Sequence, residues 1–531
     1  MPYKVLISDS LSKEAVEILE KEKDLKVDVN TKLTPEELKK VIKDYDALLV
    51  RSSTKVTKDV INAADNLKII GRAGVGLDNV DVEAASKKGI IVINTPGGNT
   101  VSTAEHTFSM ILALSRSIPQ ADFSMKKGEW ERKKFMGVEL YGKVLGIVGL
   151  GRIGTEVAKR ALSFNMKVMA FDPYLSFERA KELGIESSDL ESLLKKADYI
   201  TVHTPLTDDT KHVISDKQFD MMKKGVRVIN CARGGIIDEA ALIKAIESGK
   251  VAGAALDVYE NEPPPKDSKL LKLDKVILTP HLGASTEEAQ VNVAIDVANT
   301  ARDILLGRCI RNAVNMPCVD PEVFKVIEPY LKLSENIGSI IAQIAEGHIK
   351  KVKIRYVGDI LKYELSPFTV SVMKGILTPI LQETVNFVNS LVIAKERGIS
   401  VVESKTTEIQ DFASLIIVDV ETDKAKSLVA GTLFTKTDPR IVKINEFWVD
   451  CAPEGNMLLV FNKDVPGIIG EIGTIFGNNS INIASVSFGR DAKGGNAVSV
   501  WNVDSDVPKK VLDDIKKAKN IQEVKLAKLY T

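Results

Sequence analysis

Three observations predict an α/β chain built on doubly wound parallel sheets. Short β-branched runs alternate with amphipathic helical stretches from the N-terminus, the pattern of a parallel sheet covered by helices. The runs of the second block, such as "KVLGIVG", "ADYITVH" and "VRVINCA", are apolar almost throughout, as strands buried on both faces must be. Finally, 531 residues are too many for one hydrophobic core, so several domains of ordinary size are expected.

The elements follow in order. "YKVLISD", "YDALLV", "LKIIG" and "GIIVI" read as the strands of a first block, separated by helical segments such as "SKEAVEILEKE" and "TPEELKKVIK". "TVSTAEHTFSMILALSRSI" then breaks the rhythm as a long helix with a stripe through Ala104, Phe108, Ile111, Leu112 and Ser115, suited to linking two lobes. The second block runs through "KVLGIVG", "KVMAFD", "ADYITVH", "VRVINCA", "VAGAALDV" and "KVILTPH", and a helix is expected from Ser285 to about Leu306. After Cys318 the pattern turns to mixed α+β. "PEVFKVIEPYLKLSENIGSIIAQIAEG" reads as one long or broken helix, "KKVKIRYVG" as a strand, and "KGILTPILQETVNFVNSLVIAKERG" as two helices around a proline. Strands "ASLIIVDVET", "LVAGTLF" and "RIVKINEFWVD" complete that block near Pro453. The remainder is a compact β-α-β-β-α-β pattern.

Composition excludes several classes. Lys plus Arg equals Asp plus Glu at 72 each, so no global field exists to hold nucleic acid or an anionic membrane. Hydrophobic residues make up 44% and charged ones 27%, which leaves little room for long disordered tails. Cys231, Cys309, Cys318 and Cys451 are scattered without C-x-x-C or zinc spacing, so reduced thiols and no metal are expected. The N-terminus reads at once as a strand and no apolar run reaches bilayer length, so a cytoplasmic protein is the expectation.

"KVLGIVGLGRIGTEVAKRAL" carries Gly149, Gly151 and Gly154 as G-x-G-x-x-G between a strand and a helix. Glycines there permit a tight turn and close approach of a pyrophosphate to the helix N-terminus. The next strand ends in Asp172, an acid placed to accept the ribose hydroxyls of adenosine and to repel a 2'-phosphate, which favours NAD over NADP. "GRAGVG", residues 71 to 76, has the wrong spacing for a dinucleotide and instead offers backbone N–H groups to a smaller anion.

Arg233, Glu262 and His281 follow successive strands of the second block, so they converge on the crevice at the C-terminal edge of the sheet. Oxidising a secondary alcohol needs a base for the hydroxyl proton, which suits His281. A carboxylate behind it orients the imidazole and favours its charged form, and an arginine grips an α-carboxylate in bidentate fashion. Gly234 and Gly235 are expected to leave room for substrate and cofactor.

"VGLGRIG", "NCARGG", "ALDVYENEPP" and "TPHLGAST", in this order, resemble the D-2-hydroxyacid dehydrogenase family over residues 1 to about 317. The resemblance implies a substrate lobe of flavodoxin-like type at 1–97 plus 288–317 and a Rossmann-type NAD lobe at 98–287. It implies catalysis by Arg233, Glu262 and His281. By the same resemblance, Arg152 and Ile153 contact the pyrophosphate with Gly149, Gly151 and Gly154, Asp172 holds the ribose, and Thr204, Cys231 and Asp257 line the nicotinamide side. Cys231 is thus cofactor lining and not a nucleophile, and His106, His203, His212 and His348 are read as structural or solvated.

In the substrate lobe, Arg51, Ser52 and Lys55 follow an apolar strand, "GRAGVG" adds Arg72 with the amides of Gly74, Val75 and Gly76, and Asn99 follows in "NTPGGNT". Cations, hydroxyls and amides on one cleft suit a substrate bearing a phosphate as well as a carboxylate. They resemble the substrate positions of the phosphoglycerate-oxidising branch of the family, whose long members carry an intervening domain, here 318–453, and a C-terminal ferredoxin-like ACT domain, here 454–531. That resemblance implies oxidation of 3-phosphoglycerate to 3-phosphohydroxypyruvate at the opening of serine biosynthesis, in a homodimer or homotetramer. L-Serine is the implied effector at paired ACT domains, with Asp464 and Asn482 holding it. Asn462 departs from the relatives' histidine or aromatic residue, and Asp464 reads equally as a helix cap. Two alternatives share the scaffold: a hydroxypyruvate or glyoxylate reductase, and an NAD-sensing corepressor-like interaction protein.

Overall fold

The computed structural model describes residues 2–308, 310–381, 385–407 and 412–529. Four sheets organise the chain. The first has five parallel strands in the order Leu25–Val29, Tyr3–Ile7, Ala47–Val50, Ile69–Arg72, Ile91–Ile93, the 2-1-3-4-5 order of flavodoxin-like sheets. The second has seven parallel strands, and its first strand in sequence, Val144–Val148, lies between Lys167–Phe171 on one side and Tyr199–Val202 on the other. Strand order reverses at Val144–Val148, which opens the crevice where doubly wound sheets bind ligands. The α/β class read from the sequence holds.

Two long helices cross between these sheets. Thr100–Arg116 packs Ala104, Phe108 and Ile111 on Leu145, Ile147 and Ile229 of the seven-stranded sheet. Burial there includes Ser115 but shifts from the expected Leu112 to Met110 and Leu114. The expected single helix stops at Ser117, whose φ of 49° turns the chain before a second helix, Ile118–Lys126. Glu287–Leu305, capped by the Thr286 hydroxyl, returns to the five-stranded sheet and packs Val293, Val297 and Ala301 on Val5, Leu49 and Ile69.

Beyond it, Pro321–Ile344 forms one helix despite Pro329. It underlies a six-stranded sheet whose second strand, Ile349–Gly358, pairs antiparallel with Ser414–Thr422 and parallel with Ser400–Thr406. "KGILTPILQETVNFVNSLVIAKERG" behaves differently from expectation. A helix begins earlier, at Ser366, and ends at Leu377 ahead of Pro379, where proline removes the next donor; the second covers only Ser390–Glu396. Residues 382–384 of that stretch lie outside the described residues, as does Cys309.

The last sheet, in the order Ile483–Arg490, Asn496–Val503, Asn456–Lys463, Ile521–Lys528, is antiparallel and ferredoxin-like, as expected. Helices Ile468–Asn478 and Lys509–Lys517 cover one face. The other face joins the preceding sheet in a single core that includes Met457, Leu459, Val498 and Ala527 beside Ile337 and Ile341 of the long helix. No helix among the described residues is long and apolar enough to cross a membrane.

Candidate active site

The glycine turn behaves as its spacing requires. Gly149 has a φ of 92°, a left-handed conformation that disfavours any side chain. A Cβ on Gly154 would overlap the Gly149 carbonyl oxygen, whereas one on Gly151 would meet nothing within 4 Å. So Gly154 sets how closely helix and strand pack, and Gly151 leaves open space above them. Helix Arg152–Ser163 starts at Gly151 without a side-chain cap, which leaves its first amides for an external acceptor. Replacing Gly154 with alanine is expected to weaken NADH binding at least tenfold, read by fluorescence titration, because the turn must open to admit the methyl group.

Asp172 closes the turn from the neighbouring strand. Its Oδ2 accepts from the Leu150 amide at 2.8 Å and its Oδ1 from the Tyr174 amide at 2.8 Å, and each oxygen keeps a lone pair for a further donor. Beneath the turn, the buried Thr204 Oγ1 and His203 Nδ1 have no partner among the described residues. Burial holds His203 down at about 4, so it stays neutral. An orphaned hydroxyl, open space over Gly151 and an uncapped helix together fit a dinucleotide.

At the C-terminal edge, His281 Nδ1 lies 2.7 Å from Glu262 Oε2, and the Tyr259 amide donates to Oε1 at 3.1 Å. An ionised carboxylate only accepts, so Nδ1 carries the proton and Nε2 of the neutral ring is left as the acceptor. The hydrogen bond to Glu262 raises the His281 pKa above its ordinary value against the opposing effect of burial, and the charges of Glu262 and Asp257 add to it. Burial alone would raise Glu262, but its bond to His281 and the charge of the ring bring it down.

The loop that carries His281 is tied down by Asp257. This wholly buried carboxylate accepts from the Leu282 amide at 2.7 Å, the Gly283 amide at 2.8 Å and the Thr279 hydroxyl at 2.6 Å. His106 Nε2 approaches from the long helix, 3.1 Å from Thr279 Oγ1 and 3.2 Å from Asp257 Oδ1. Asp257, expected beside the nicotinamide, thus has its side chain enclosed in the support of the histidine loop. Cys231 is buried next to it, and burial first, then the charge of Asp257, pushes its thiol up to about 12. Iodoacetamide near pH 8 is therefore expected to leave Cys231 unmodified while labelling exposed Cys318, as peptide mass spectrometry would read.

Arg233 folds back so that Nη1 donates to the Ala232 carbonyl at 2.7 Å, and its Nε lies 3.8 Å from Asp78, beyond the five-stranded sheet's strand Ile69–Arg72. The glycines that follow serve a different purpose from the one expected. A Cβ on Gly234 would collide with the Tyr259 carbonyl oxygen, and Gly235 turns the chain with a φ of 82°, so they make room for the neighbouring strand's exit and not for substrate.

Facing this across the cleft, Arg72 is largely buried and its Nε has no partner among the described residues. Burial first, then the charges of Arg233 and Arg51, lower its pKa, only partly offset by Asp78 and Asp9. The Val75 and Gly76 amides are unpaired among the described residues, but the Gly74 amide donates to the Arg72 carbonyl at 2.9 Å and is not available. Arg51 and Thr54 donate their amides to Asp9 Oδ2 at 2.6 and 3.1 Å, which orders the Arg51–Lys55 loop with Ser52 and Lys55 exposed. Asn99 sits at the start of the long helix with a buried Oδ1 that lacks a partner among the described residues.

The effector candidates are separate. Asp464 accepts from Arg490 Nη1 and from the Gly494 amide, each at 3.0 Å, and the helix start at Gly467 has no side-chain cap, so the capping reading fails. Asn482 Nδ2 donates to Asp504 at 2.6 Å. Within one chain the two do not meet each other. Among the described residues no cluster of metal-ligating side chains is present.

Comparison with known proteins agrees with this geometry. Residues 108–283 match the model of the D-isomer specific 2-hydroxyacid dehydrogenase NAD binding domain, 326–445 the D-3-phosphoglycerate dehydrogenase intervening domain, and 456–520 the ACT domain. D-3-phosphoglycerate dehydrogenase of Archaeoglobus fulgidus is 47% identical over 98% of this chain and 98% of its own, and that of Bacillus subtilis 46% identical over 99% and 100%. The solved glyoxylate reductase of Paecilomyes thermophila is 30% identical, with a TM-score of 0.54 over 59% of this chain and 98% of its own. D-Lactate dehydrogenase of Aquifex aeolicus, solved with NAD and lactic acid, is 31% identical, with a TM-score of 0.51 over 57% and 96%. With a glycine turn, a histidine–glutamate pair and a full-length match to both named enzymes, the chain belongs to the D-3-phosphoglycerate dehydrogenases of the D-2-hydroxyacid dehydrogenase family.

Proposed function

We propose that the chain oxidises 3-phosphoglycerate to 3-phosphohydroxypyruvate with NAD, the entry to serine synthesis. The observation that carries this reading is the pairing of His281 with Glu262 at 2.7 Å in a cleft that also holds the under-compensated guanidinium of Arg72. Gly149, Gly151, Gly154, Arg152 and Ile153 hold the pyrophosphate, Asp172 the adenosine ribose, and Thr204 and Cys231 the nicotinamide side. NAD held there would supply the acceptor for the hydride that leaves the substrate's C2. Arg233 holds the α-carboxylate and orients C2. His281 Nε2 takes the C2 hydroxyl proton, and Glu262 stabilises the imidazolium that results. Asp257 and His106 keep the ring aimed. Arg51, Ser52, Arg72, Asn99 and the Val75–Gly76 amides receive the phosphate end.

In the same reading, 1–97 plus 288–317 form the substrate lobe, 98–287 the NAD lobe, 318–453 the intervening domain and 454–531 the ACT domain. Each of the four sheets falls inside one of these ranges. L-Serine at paired ACT domains of a homodimer or homotetramer, held by Asp464 and Asn482, is the regulatory arm of the proposal. Cytoplasmic location goes with it.

The test is the ratio of kcat/KM for 3-phosphohydroxypyruvate over hydroxypyruvate with NADH. A phosphate gripped by buried arginine is expected to give a preference of about a hundredfold or more. No preference would move the hydroxypyruvate or glyoxylate reductase reading ahead, and no turnover of either would favour the NAD-sensing interaction protein.

A further inference from the structure

Away from the catalytic cleft, a cavity of about 460 Å³ opens at the seam between the substrate lobe and the intervening domain. Its size is that of a small-molecule site. One wall comes from the end of the crossing helix and the chain beyond it, with Ile304, Ile310 and Val319. The other comes from the long helix and its neighbours, with Leu331, Val370 and Phe387. Phe324, also on the wall, is 44% exposed, an apolar surface that packing within the chain leaves uncovered.

The charges at the mouth are mostly spent. Arg308 pairs with Glu22 at 2.9 Å, Lys325 with Glu322 at 2.8 Å and Glu335 with Lys374 at 2.7 Å. Glu328 and Lys332, which also line the cavity, have no hydrogen-bond or ion-pair partner among the described residues. They lie one helical turn apart with the acid N-terminal, the spacing at which such residues ordinarily bond to each other. An apolar chamber with one unspent acid and one unspent base at its rim is complementary to a zwitterion with a bulky apolar body. We infer that this seam cavity binds an α-amino acid with a large apolar side chain, its ammonium on Glu328, its carboxylate on Lys332 and its side chain against Phe324, Val370 and Phe387.

Position gives such a ligand a lever on catalysis. The crossing helix that forms one wall also backs the substrate strand, for a Cβ on Gly71 would lie 2.8 Å from Val297 Cγ2, and Arg72 follows Gly71 directly. The long helix of the other wall runs on to the ACT sheet, where Gln343 accepts from the Lys528 amide at 2.9 Å and donates to its carbonyl at 3.0 Å. A molecule bridging the two walls favours one arrangement of the seam, and any effect on substrate affinity is matched by an equal effect of substrate on its own binding.

Calorimetry on the full-length protein with L-phenylalanine tests this, with 3-phenylpropionate and phenethylamine as half-charged probes. One saturable site per chain is expected, not displaced by L-serine or NADH, and each half-charged probe should bind about tenfold more weakly. Lys332→Gln should erase the advantage of L-phenylalanine over phenethylamine, and Glu328→Gln its advantage over 3-phenylpropionate. Both residues are exposed, so folding is preserved, which unchanged NADH binding would check. Absence of saturable binding, displacement by L-serine or NADH, or equal affinity in both variants would overturn the assignment.

Discussion

Replacing His281 with asparagine is expected to lower kcat by about a thousandfold while NADH binding is retained, because it removes the base and nothing that holds the dinucleotide. Glu262→Gln is the more informative partner. An amide oxygen still accepts from Nδ1, so the ring orientation survives, but the charge that raises the His281 pKa is gone. Oxidation needs neutral imidazole, so kcat/KM in that direction falls as pH drops through a His281 pKa that Glu262 holds above its ordinary value. In Glu262→Gln that acid limb moves to lower pH. Reduction needs the imidazolium, so its activity is lost as pH rises through the same pKa, and this limb also moves down. Parallel displacement of both limbs, with kcat down about tenfold to a hundredfold, is the expected signature. An unmoved pH profile in both directions would remove His281 from the acid–base role.

What the sequence made legible, and what it hid, divides along one physical line. The parallel sheets are readable because a strand buried on both faces is apolar almost throughout, as Ala47–Val50 is at every position. Gly149, Gly151 and Gly154 were readable because backbone geometry dictates residue type at fixed spacing. Ser400–Thr406 escapes the sequence because it is a mostly exposed edge strand carrying Ser, Glu and Lys, with its partner some fifty residues earlier and no local period to betray it. Asp9, Asp78 and Thr279, and the partners that make His106 structural, escape the sequence for a related reason. Each is a single polar residue whose importance comes from contacts with residues far away in sequence, such as Asp9 with Arg51 or His106 with Asp257. For Asp9 a signal exists: a buried acid two residues beyond the run "KVLI" must find donors, and the nearest strand end supplies them. The role of Gly234 is hidden in the sequence because its neighbour, the Tyr259 carbonyl, lies in the segment that follows a different strand, Val251–Leu256.

Arg72→Gln is expected to cut kcat/KM for 3-phosphohydroxypyruvate by about a hundredfold and to leave that for hydroxypyruvate nearly unchanged, so that the preference for a phosphorylated substrate collapses. The reason lies in the free protein. Arg72 is largely buried with Nε unpartnered, and it feels the like charges of Arg233 and Arg51 with only Asp78 and Asp9 in partial compensation. Gathering cations this way costs stability unless an anion completes the set. A carboxylate on Arg233 completes only part of it, and a phosphate dianion beside Arg72 completes the rest. Removing the charge of Arg72 should therefore relieve repulsion, and the thermal midpoint without substrate should hold or rise even as activity on the phosphorylated substrate falls. A lowered midpoint with equal losses on both substrates would mean that Arg72 is a structural ion-pair residue. A preserved phosphate preference would pass the role to Arg51 and Lys55 on the loop that Asp9 orders.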